Sequence, residues 1–213
     1  MRIFAISDLH VDYSANWKWV EDISQLDYQA DVLLLAGDIS HALDKLERTL
    51  CALKRRFRHV FFVPGNHDVW VRGQSINSLE KFDAVCALCS ACGVETTMAE
   101  LDSVRIAPLL SWYHRDFDPR IAVDDRGALT AWGDFRYCRW PVDMQRLDHH
   151  FSALNAVSPC AAKPTVSFSH FLPRWELLPG QSYLRFKGLP LVAGSPLLEE
   201  QVRALGARSE EHT

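Results

Sequence analysis

The stretch Val60-Phe61-Phe62-Val63-Pro64-Gly65-Asn66-His67-Asp68 decides the fold class of this chain. Its first four residues are apolar, a pattern typical of a strand that is buried on both faces of a parallel sheet. Proline and glycine then end the strand, and an amide, an imidazole and a carboxylate follow directly. We therefore expect a buried strand that delivers polar side chains to a loop at its carboxyl end.

Similar apolar runs precede this stretch at Ile3–Ser7 and Val32–Ala36. Between the second and third runs, apolar residues recur at spacings of three and four behind a candidate cap at Ser40, which predicts an amphipathic helix. These residues are Leu43, Leu46, Leu50, Leu53 and Phe57. The alternation of strand, helix and strand predicts an α/β fold with a parallel sheet.

Five further elements are predicted in the second part of the chain. They are helices at Ser75–Cys92 (ended by Gly93), Asp143–Val157 and Ser195–Gly206, and strands at Val104–Leu110 and Thr165–Ser169. Pro108 favours an edge or a bulge for the first of these strands, because proline lacks the N–H that a ladder needs. The segment at about 113–164, rich in aromatic residues and arginine, is interpreted as an insertion within a single domain that spans residues 1–213.

The composition excludes several classes of protein. Of the 213 residues, 48% are hydrophobic and 23% are charged, which is typical of a globular protein with a core and not of a disordered chain. The net charge of -4 argues against nucleic acid as a partner, since no overall basic field is available. No apolar run approaches the ~20 residues of a membrane span, and the N-terminus lacks the apolar core of a signal peptide. We therefore expect a cytoplasmic protein with reduced cysteines.

Four of the predicted strands end in residue types that bind metals. These ends are Asp8-Leu9-His10, Gly37-Asp38, Gly65-Asn66-His67-Asp68 and His170. Because ligands gather at the carboxyl ends of strands in open α/β sheets, we expect these side chains to converge on one crevice. A divalent cation would offset the cost of burying two carboxylates together. We therefore favour a metal cluster over the ordinary turn and capping roles of Asp and Asn.

These four segments, in this order, resemble the signature of the calcineurin-like metallophosphoesterases, which continues with a Gly-His-x-His motif. The resemblance implies a β-sandwich flanked by helices. It also implies hydrolysis of a phosphoester substrate with two divalent metal ions, whose ligand types suit Mn, Fe, Zn, Ni or Co.

The resemblance assigns a role to each matching residue. The implied metal ligands are Asp8 and His10 for one ion, Asn66 and His170 for the other, and Asp38 as the bridge. A hydroxide held by the ions would attack the phosphorus, with His67 as the general acid and Asp68 as the residue that orients its ring.

The Gly-His-x-His motif of the family is absent, because only residues 207–213 follow Gly206. Each ion would thus lack one histidine that the family supplies. Because the strand before that motif belongs to the second sheet of the family, the second sheet could be incomplete here. His212 lies near the expected position but lacks the preceding strand and the second histidine. Two alternatives stay open: a shortened form of a larger enzyme, or a natural variant with weakened or lost catalysis that serves as a binding or regulatory module.

Three other patterns have ordinary structural interpretations beside their functional ones. The thiols of Cys86, Cys89 and Cys92 have a spacing seen in iron–sulfur proteins, but they lie in a predicted helix without the fourth Cys-Pro, so we expect buried thiols. The basic run Lys54–Arg58 is expected to be a solvated helix end and not a nucleic-acid patch. His114 follows a strand end and is a candidate substrate-binding residue.

Overall fold

Three parallel strands form the sheet that the sequence predicts. The computed structural model describes residues 1–120, 129, 131–159 and 163–206. Strands β1 (Ile3–Ile6), β2 (Val32–Ala36) and β3 (His59–Val63) lie in the order β1-β2-β3 and are all parallel. Helix α1 (Ser14–Asp22) connects β1 to β2, and helix α2 (Leu43–Lys54) connects β2 to β3. The α/β prediction is confirmed.

Strand β2 is the centre of the molecule because both of its faces are buried. Leu33 and Leu35 face the core that α1 and α2 cover, whereas Val32 and Leu34 face a second core beneath the other sheet. Each of these four side chains is at most 4% exposed. Burial on both faces explains why the strand is a continuous apolar run and not an alternating one.

A small mixed sheet forms the second layer of the sandwich. Its strands are β4 (Ala99–Glu100), β5 (Arg105–Pro108) and β6 (Thr165–Phe168), in the order β4-β5-β6. β4 is antiparallel to β5, and β6 is parallel to it. Beyond β6, an isolated parallel bridge pairs Leu172 with Gly194 outside these strands.

Pro108 lies at the end of the middle strand, so the prediction of an edge or a bulge is wrong. The N–H of the next residue, Leu109, donates to the carbonyl of Phe168 on β6 at 2.9 Å. Because successive N–H groups alternate in direction, the nitrogen of Pro108 faces the β4 side. Pairing with β4 has already stopped there, at Ala99 opposite Ile106. The N–H that proline lacks therefore removes no ladder hydrogen bond.

Helix α3 (Ser78–Cys92) begins later than the predicted Ser75, because Asn77 caps it. The Asn77 side chain accepts from the N–H groups of Leu79 and Glu80, and the Glu80 carboxylate accepts from the N–H of Asn77. This reciprocal capping box defines the first turn. The helix ends as predicted at Gly93, which takes the left-handed conformation (φ 69°).

Ser40 does not cap α2, contrary to prediction. Its hydroxyl accepts from the N–H of Ala42, the residue before the helix, and donates to Asp12. Its own N–H is bound by Asp68, which keeps Ser40 in the loop that precedes the helix.

Three further α-helices lie in the described residues, together with four 3-10 helices at His67–Val69, Trp175–Leu177, Gln181–Tyr183 and Leu189–Leu191. The α-helices are α4 (Asp134–Tyr137), α5 (Leu147–Ala153) and α6 (Pro196–Ala204). Ser195 caps α6 as predicted. The predicted helix at Asp143–Val157 is reduced to α5, and beyond its end the Asn155 side chain bonds to the backbone N–H and carbonyl of Leu110. None of the helices in the described residues is long and apolar enough to cross a bilayer.

The cysteines depart in part from the expectation of reduced thiols. Cys51 and Cys92 form a disulfide that joins the last turns of α2 and α3, across a Cα separation of 5.2 Å. Cys86 and Cys89 are free, and Cys89 is fully buried in the core. Burial raises the pKa of the Cys86 thiol to about 11 and that of Cys89 further still. The three residues therefore do not form one ligand set, in line with the structural interpretation.

The interpretation of the basic run as a solvated helix end holds for Arg55 and Arg58, which are exposed, but is wrong for Arg56. Only 6% of this residue is exposed, and its guanidinium donates to the carbonyls of Glu21, Ile23 and Ala52 at 3.1, 2.9 and 2.7 Å. The first two carbonyls lie at the end of α1, where helical carbonyls lack a partner. Arg56 thereby holds α1 against α2.

We expect Arg56→Lys to lower the free energy of unfolding by about 2 kcal/mol, because a lysine ammonium does not reproduce this planar three-carbonyl contact. Urea unfolding at pH 7 measures the change. Arg55→Lys is the matched control, since Arg55 is exposed, and its change should stay within about 0.5 kcal/mol. Equal stability of the two variants would contradict the assignment.

Candidate metal centre

The loops at the carboxyl ends of β1, β2 and β3 are bonded to one another. The N–H of Asp8 donates to the carbonyl of Gly37 at 3.1 Å, and the N–H of His10 donates to that of Asp38 at 2.9 Å. The loop after β3 joins them, because the N–H of His67 donates to Asp38 Oδ1 at 2.9 Å. The convergence expected from the sequence is therefore present in the structure.

Asp38 is the centre of the cluster and is only 3% exposed. Its Oδ2 lies 3.9 Å from His10 Nε2 and 3.7 Å from His67 Nε2. Its Oδ1 lies 3.6 Å from His170 Nε2. Asp8 Oδ1 lies 3.6 Å from His10 Nε2 on the outer side. The two oxygens of Asp38 thus face different imidazoles.

Strained backbone is concentrated in this cluster. Among the described residues, the non-glycine residues with positive φ are Asp8, His10 and Asp38, at 55°, 41° and 58°. Such conformations cost on the order of 1–3 kcal/mol each and persist where the surrounding structure imposes them, often at functional sites.

Two glycines permit the close approach of these loops. A Cβ on Gly65 would collide with Asp38 Oδ1. Gly37 has a φ of 83°, and a Cβ there would lie 2.6 Å from His170 Nδ1. A larger residue at either position would push the loops apart.

Asp68 binds the backbone of both central loops. Its carboxylate accepts from the N–H groups of Asp38 and Gly65 at 2.8 Å, of Ile39 at 2.9 Å and of Ser40 at 3.0 Å. Burial and the nearby Asp38 raise the pKa of this carboxyl, while the N–H donors act in the opposite direction. These partners differ from the His67 ring that the sequence analysis assigned to Asp68. Its observed contacts hold the loops in register.

His67 lies between Asp38 and an aromatic wall. Its ring stacks on Trp70 with a centroid separation of 3.6 Å. Burial, together with the positive charge of His10, lowers the pKa of His67 to about 4. Suitable atoms of His10, Asp38 and His67 all lie within 4.8 Å of one another, so the predicted acid belongs to the same cluster as two predicted ligands.

His170 and Asn66 approach each other on the other side of Asp38. The Nδ1–H of His170 donates to the carbonyl of Ala36 at 2.8 Å, which leaves a lone pair on Nε2 in the neutral ring. Nε2 lies 3.0 Å from Asn66 Oδ1, so two electron-rich atoms face the same space. Imidazole nitrogen and amide oxygen are both atom types that bind divalent cations.

The donor set fits a divalent cation. It combines ionised carboxylate, imidazole nitrogen and amide oxygen, which suit the borderline metals of the first transition row. The adjacent His10 lowers the pKa of Asp8 to about 2, so Asp8 is ionised at neutral pH. A metal binds carboxylates in this ionised form, and it binds imidazole nitrogens once they have released their proton.

The structure also brings in a residue that the sequence analysis missed. Asp134 of α4 accepts from the Asn66 amide at 2.8 Å. Only its position in the predicted insertion could have drawn attention to it.

His114, the candidate substrate-binding residue, has other partners. Its Nδ1 is 3.7 Å from Asp116 Oδ2, and its backbone N–H donates to the carbonyl of Gly194. Its role in substrate binding stays a prediction, and His212 lies outside the described residues.

Comparisons with known proteins show which protein this chain is similar to. An acyl-carrier-protein phosphodiesterase, PptH of Mycobacterium tuberculosis, is 34% identical over 97 residues, which cover 44% of this chain and 30% of the relative. The matched part is thus less than a third of the relative's length. The crystal structure of phosphopantetheinyl hydrolase (PptH) from Mycobacterium tuberculosis superposes with a TM-score of 0.74 at 22% identity, covering 95% of this chain and 78% of that one. This likeness shows a shared fold.

A family comparison covers a larger part of the sequence. The sequence profile of calcineurin-like phosphoesterases matches residues 1–153. This range contains the loops after β1, β2 and β3, and so every predicted ligand except His170. Since the match spans more than half of the chain, the protein belongs to the calcineurin-like phosphoesterase family.

Proposed function

We propose that this chain hydrolyses phosphoesters with two divalent metal ions. The observation that carries the proposal is the position of Asp38, whose Oδ2 faces His10 and His67 while its Oδ1 faces His170. A buried carboxylate that turns its two oxygens to two sets of donors is suited to bridge two ions. Asp8 and His10 would complete one set, and Asn66 and His170 the other.

The side chains of this site would have different roles in hydrolysis. Divalent ions, when bound, supply Lewis acidity toward phosphoryl oxygens and lower the pKa of a water molecule. Asp38 holds the two donor sets at a constant separation, and Asp68 maintains the loops behind it. His67 presents its ring beside them and would protonate the leaving oxygen. Its pKa is low in the free protein, and the negative charge of a bound phosphoester acts to raise it.

The comparisons suggest which substrate to test first. PptH is named as an acyl-carrier-protein phosphodiesterase in one comparison and as a phosphopantetheinyl hydrolase in the other. We therefore propose a phosphodiester substrate of this kind, in which a phosphopantetheinyl arm is joined to a carrier protein.

The decisive experiment combines metal analysis with turnover on one preparation of the chain. Elemental analysis gives ions per chain, and mass spectrometry of a loaded carrier protein incubated with manganese gives phosphopantetheine release. Bis-p-nitrophenyl phosphate serves as a generic phosphodiester. Bound metal with release of the arm supports the full proposal, and turnover of the generic diester alone supports the reaction but not the substrate. Bound metal without any turnover would favour the alternative of a non-catalytic binding or regulatory module.

We expect Asp38→Asn to weaken metal binding and turnover together by more than about 100-fold, because changes outside the ligand set alone cost about 10- to 100-fold. Metal titration by calorimetry and hydrolysis of the generic diester measure the two effects. Asp118→Asn is the matched control: Asp118 is also buried, at 2% exposure, but it binds Arg120. Retention of metal and turnover in Asp38→Asn would overturn the bridging role.

His67→Ala is expected to lower kcat by about 10²- to 10⁴-fold, the range typical of a lost general acid, while metal content stays close to that of the parent chain. Elemental analysis and steady-state kinetics on the same sample separate the two effects. If metal is lost in parallel with kcat, His67 is a ligand and not the acid.

A further inference from the structure

Asp134 is a buried carboxylate held by three N–H donors near the candidate metal centre. It is 3% exposed. Its Oδ1 accepts from Asn66 Nδ2 at 2.8 Å and from Trp70 Nε1 at 2.7 Å, and its Oδ2 accepts from Trp132 Nε1 at 2.8 Å. A buried carboxylate is costly unless its oxygens are satisfied, and these donors satisfy both of them.

The bond to Asn66 decides which atom of that amide faces the cluster. A carboxylate only accepts hydrogen bonds, so the NH₂ group of Asn66 must point to Asp134. The other end of the amide, Oδ1, then lies 3.0 Å from His170 Nε2. If the amide were rotated by half a turn, it would present donors to the centre, and these cannot bind a cation.

The same oxygen of Asp134 also orients the indole of Trp70. This indole is the surface on which the His67 ring stacks, at 3.6 Å between centroids. One carboxylate on α4 therefore contacts the side chain of a predicted ligand and the support of the predicted acid.

We propose that Asp134 is a positioning residue that fixes the Asn66 amide with its oxygen toward the metal. This inference rests on the proposed function, because it takes Asn66 and His170 as ligands of one ion. Asp134 lies within the predicted insertion at 113–164, so the insertion completes the metal site instead of only covering the sheet.

Two variants of Asp134 separate orientation from packing. In Asp134→Asn the new side chain has almost the same volume, but its NH₂ group accepts no hydrogen bond, so its one oxygen cannot satisfy donors that face both oxygens of Asp134. When that NH₂ group faces Asn66, it repels the Asn66 donors, and the Asn66 amide rotates to present its oxygen to it. In Asp134→Ala no opposing donor is introduced, and the lost volume weakens packing. We therefore expect Asp134→Asn to lose more metal affinity, and Asp134→Ala to lose more thermal stability.

The experiment titrates manganese into the full chain by calorimetry, with thermal unfolding measured on the same samples. Asp134→Asn should bind about 10- to 100-fold more weakly, with the loss confined to one of two ions. Trp132→Phe removes the third donor without touching Asn66, so its metal affinity should stay near that of the parent chain. Asp148→Asn is the matched control, since Asp148 is a buried carboxylate of the same insertion that binds Arg146.

A double-mutant cycle with Asn66→Ala tests whether the effect passes through the amide. In that background, Asp134→Asn should cost no further affinity for manganese. Parent-like affinity of Asp134→Asn, or a greater loss of affinity in Asp134→Ala, would overturn the positioning role while the proposed function stands. Failure of the parent chain to bind manganese would overturn both. If Asp134→Asn does not fold, the test uses Asp134→Ala. An unchanged affinity of Asp134→Ala for manganese would count against the proposal. A weaker affinity would support it, provided that the same substitution has no effect in the Asn66→Ala background.

Discussion

The four backbone hydrogen bonds accepted by Asp68 are the interaction on which the candidate site depends. They join the loop after β2 to the loop after β3 and leave Asp38 little freedom to move. Left-handed backbone at Asp8, His10 and Asp38 costs on the order of several kcal/mol in total. The bonds to Asp68, together with those between the loops, offset this strain. Asp38 thus reaches the centre of the cluster through backbone geometry that an isolated loop would not hold.

The sandwich provides the rigid base for these loops. β2 is buried on both faces, so β1 and β3 are fixed on either side of it and their carboxyl ends lie at one edge. The second sheet supplies β6, and His170 follows two residues after that strand ends. The segment that contains α4 then returns to the same edge through Asp134. Residues more than a hundred positions apart, such as Asn66 and His170, thereby lie 3.0 Å from each other.

Several features were not predictable from local patterns because their partners are distant in the chain. Arg56 appears in the sequence as one of several basic residues, and only the position of α1 shows that it is buried. Asp134 has no motif, since its role follows from the Asn66 amide 68 positions away. Serine is a residue type that caps helices, but the N–H of Ser40 donates to Asp68 and holds the residue in the loop before α2. Pairing of Cys51 with Cys92 likewise required the relative placement of α2 and α3.

The amino-acid sequence by itself determined the strand runs, the parallel α/β class and the chemical types that gather at the strand ends, because these depend on local hydrophobicity and on residues directly after each strand. It also determined that Ser195 caps the start of α6 and that Gly93 ends α3, because both depend on interactions within one turn of the helix. The tertiary structure alone decided which atoms face the centre of the site. The oxygen of Asn66, the lone pair of His170 and the two directions of the Asp38 carboxylate are each set by hydrogen bonds or contacts to other elements, and such long-range contacts have no signature in a short stretch of sequence.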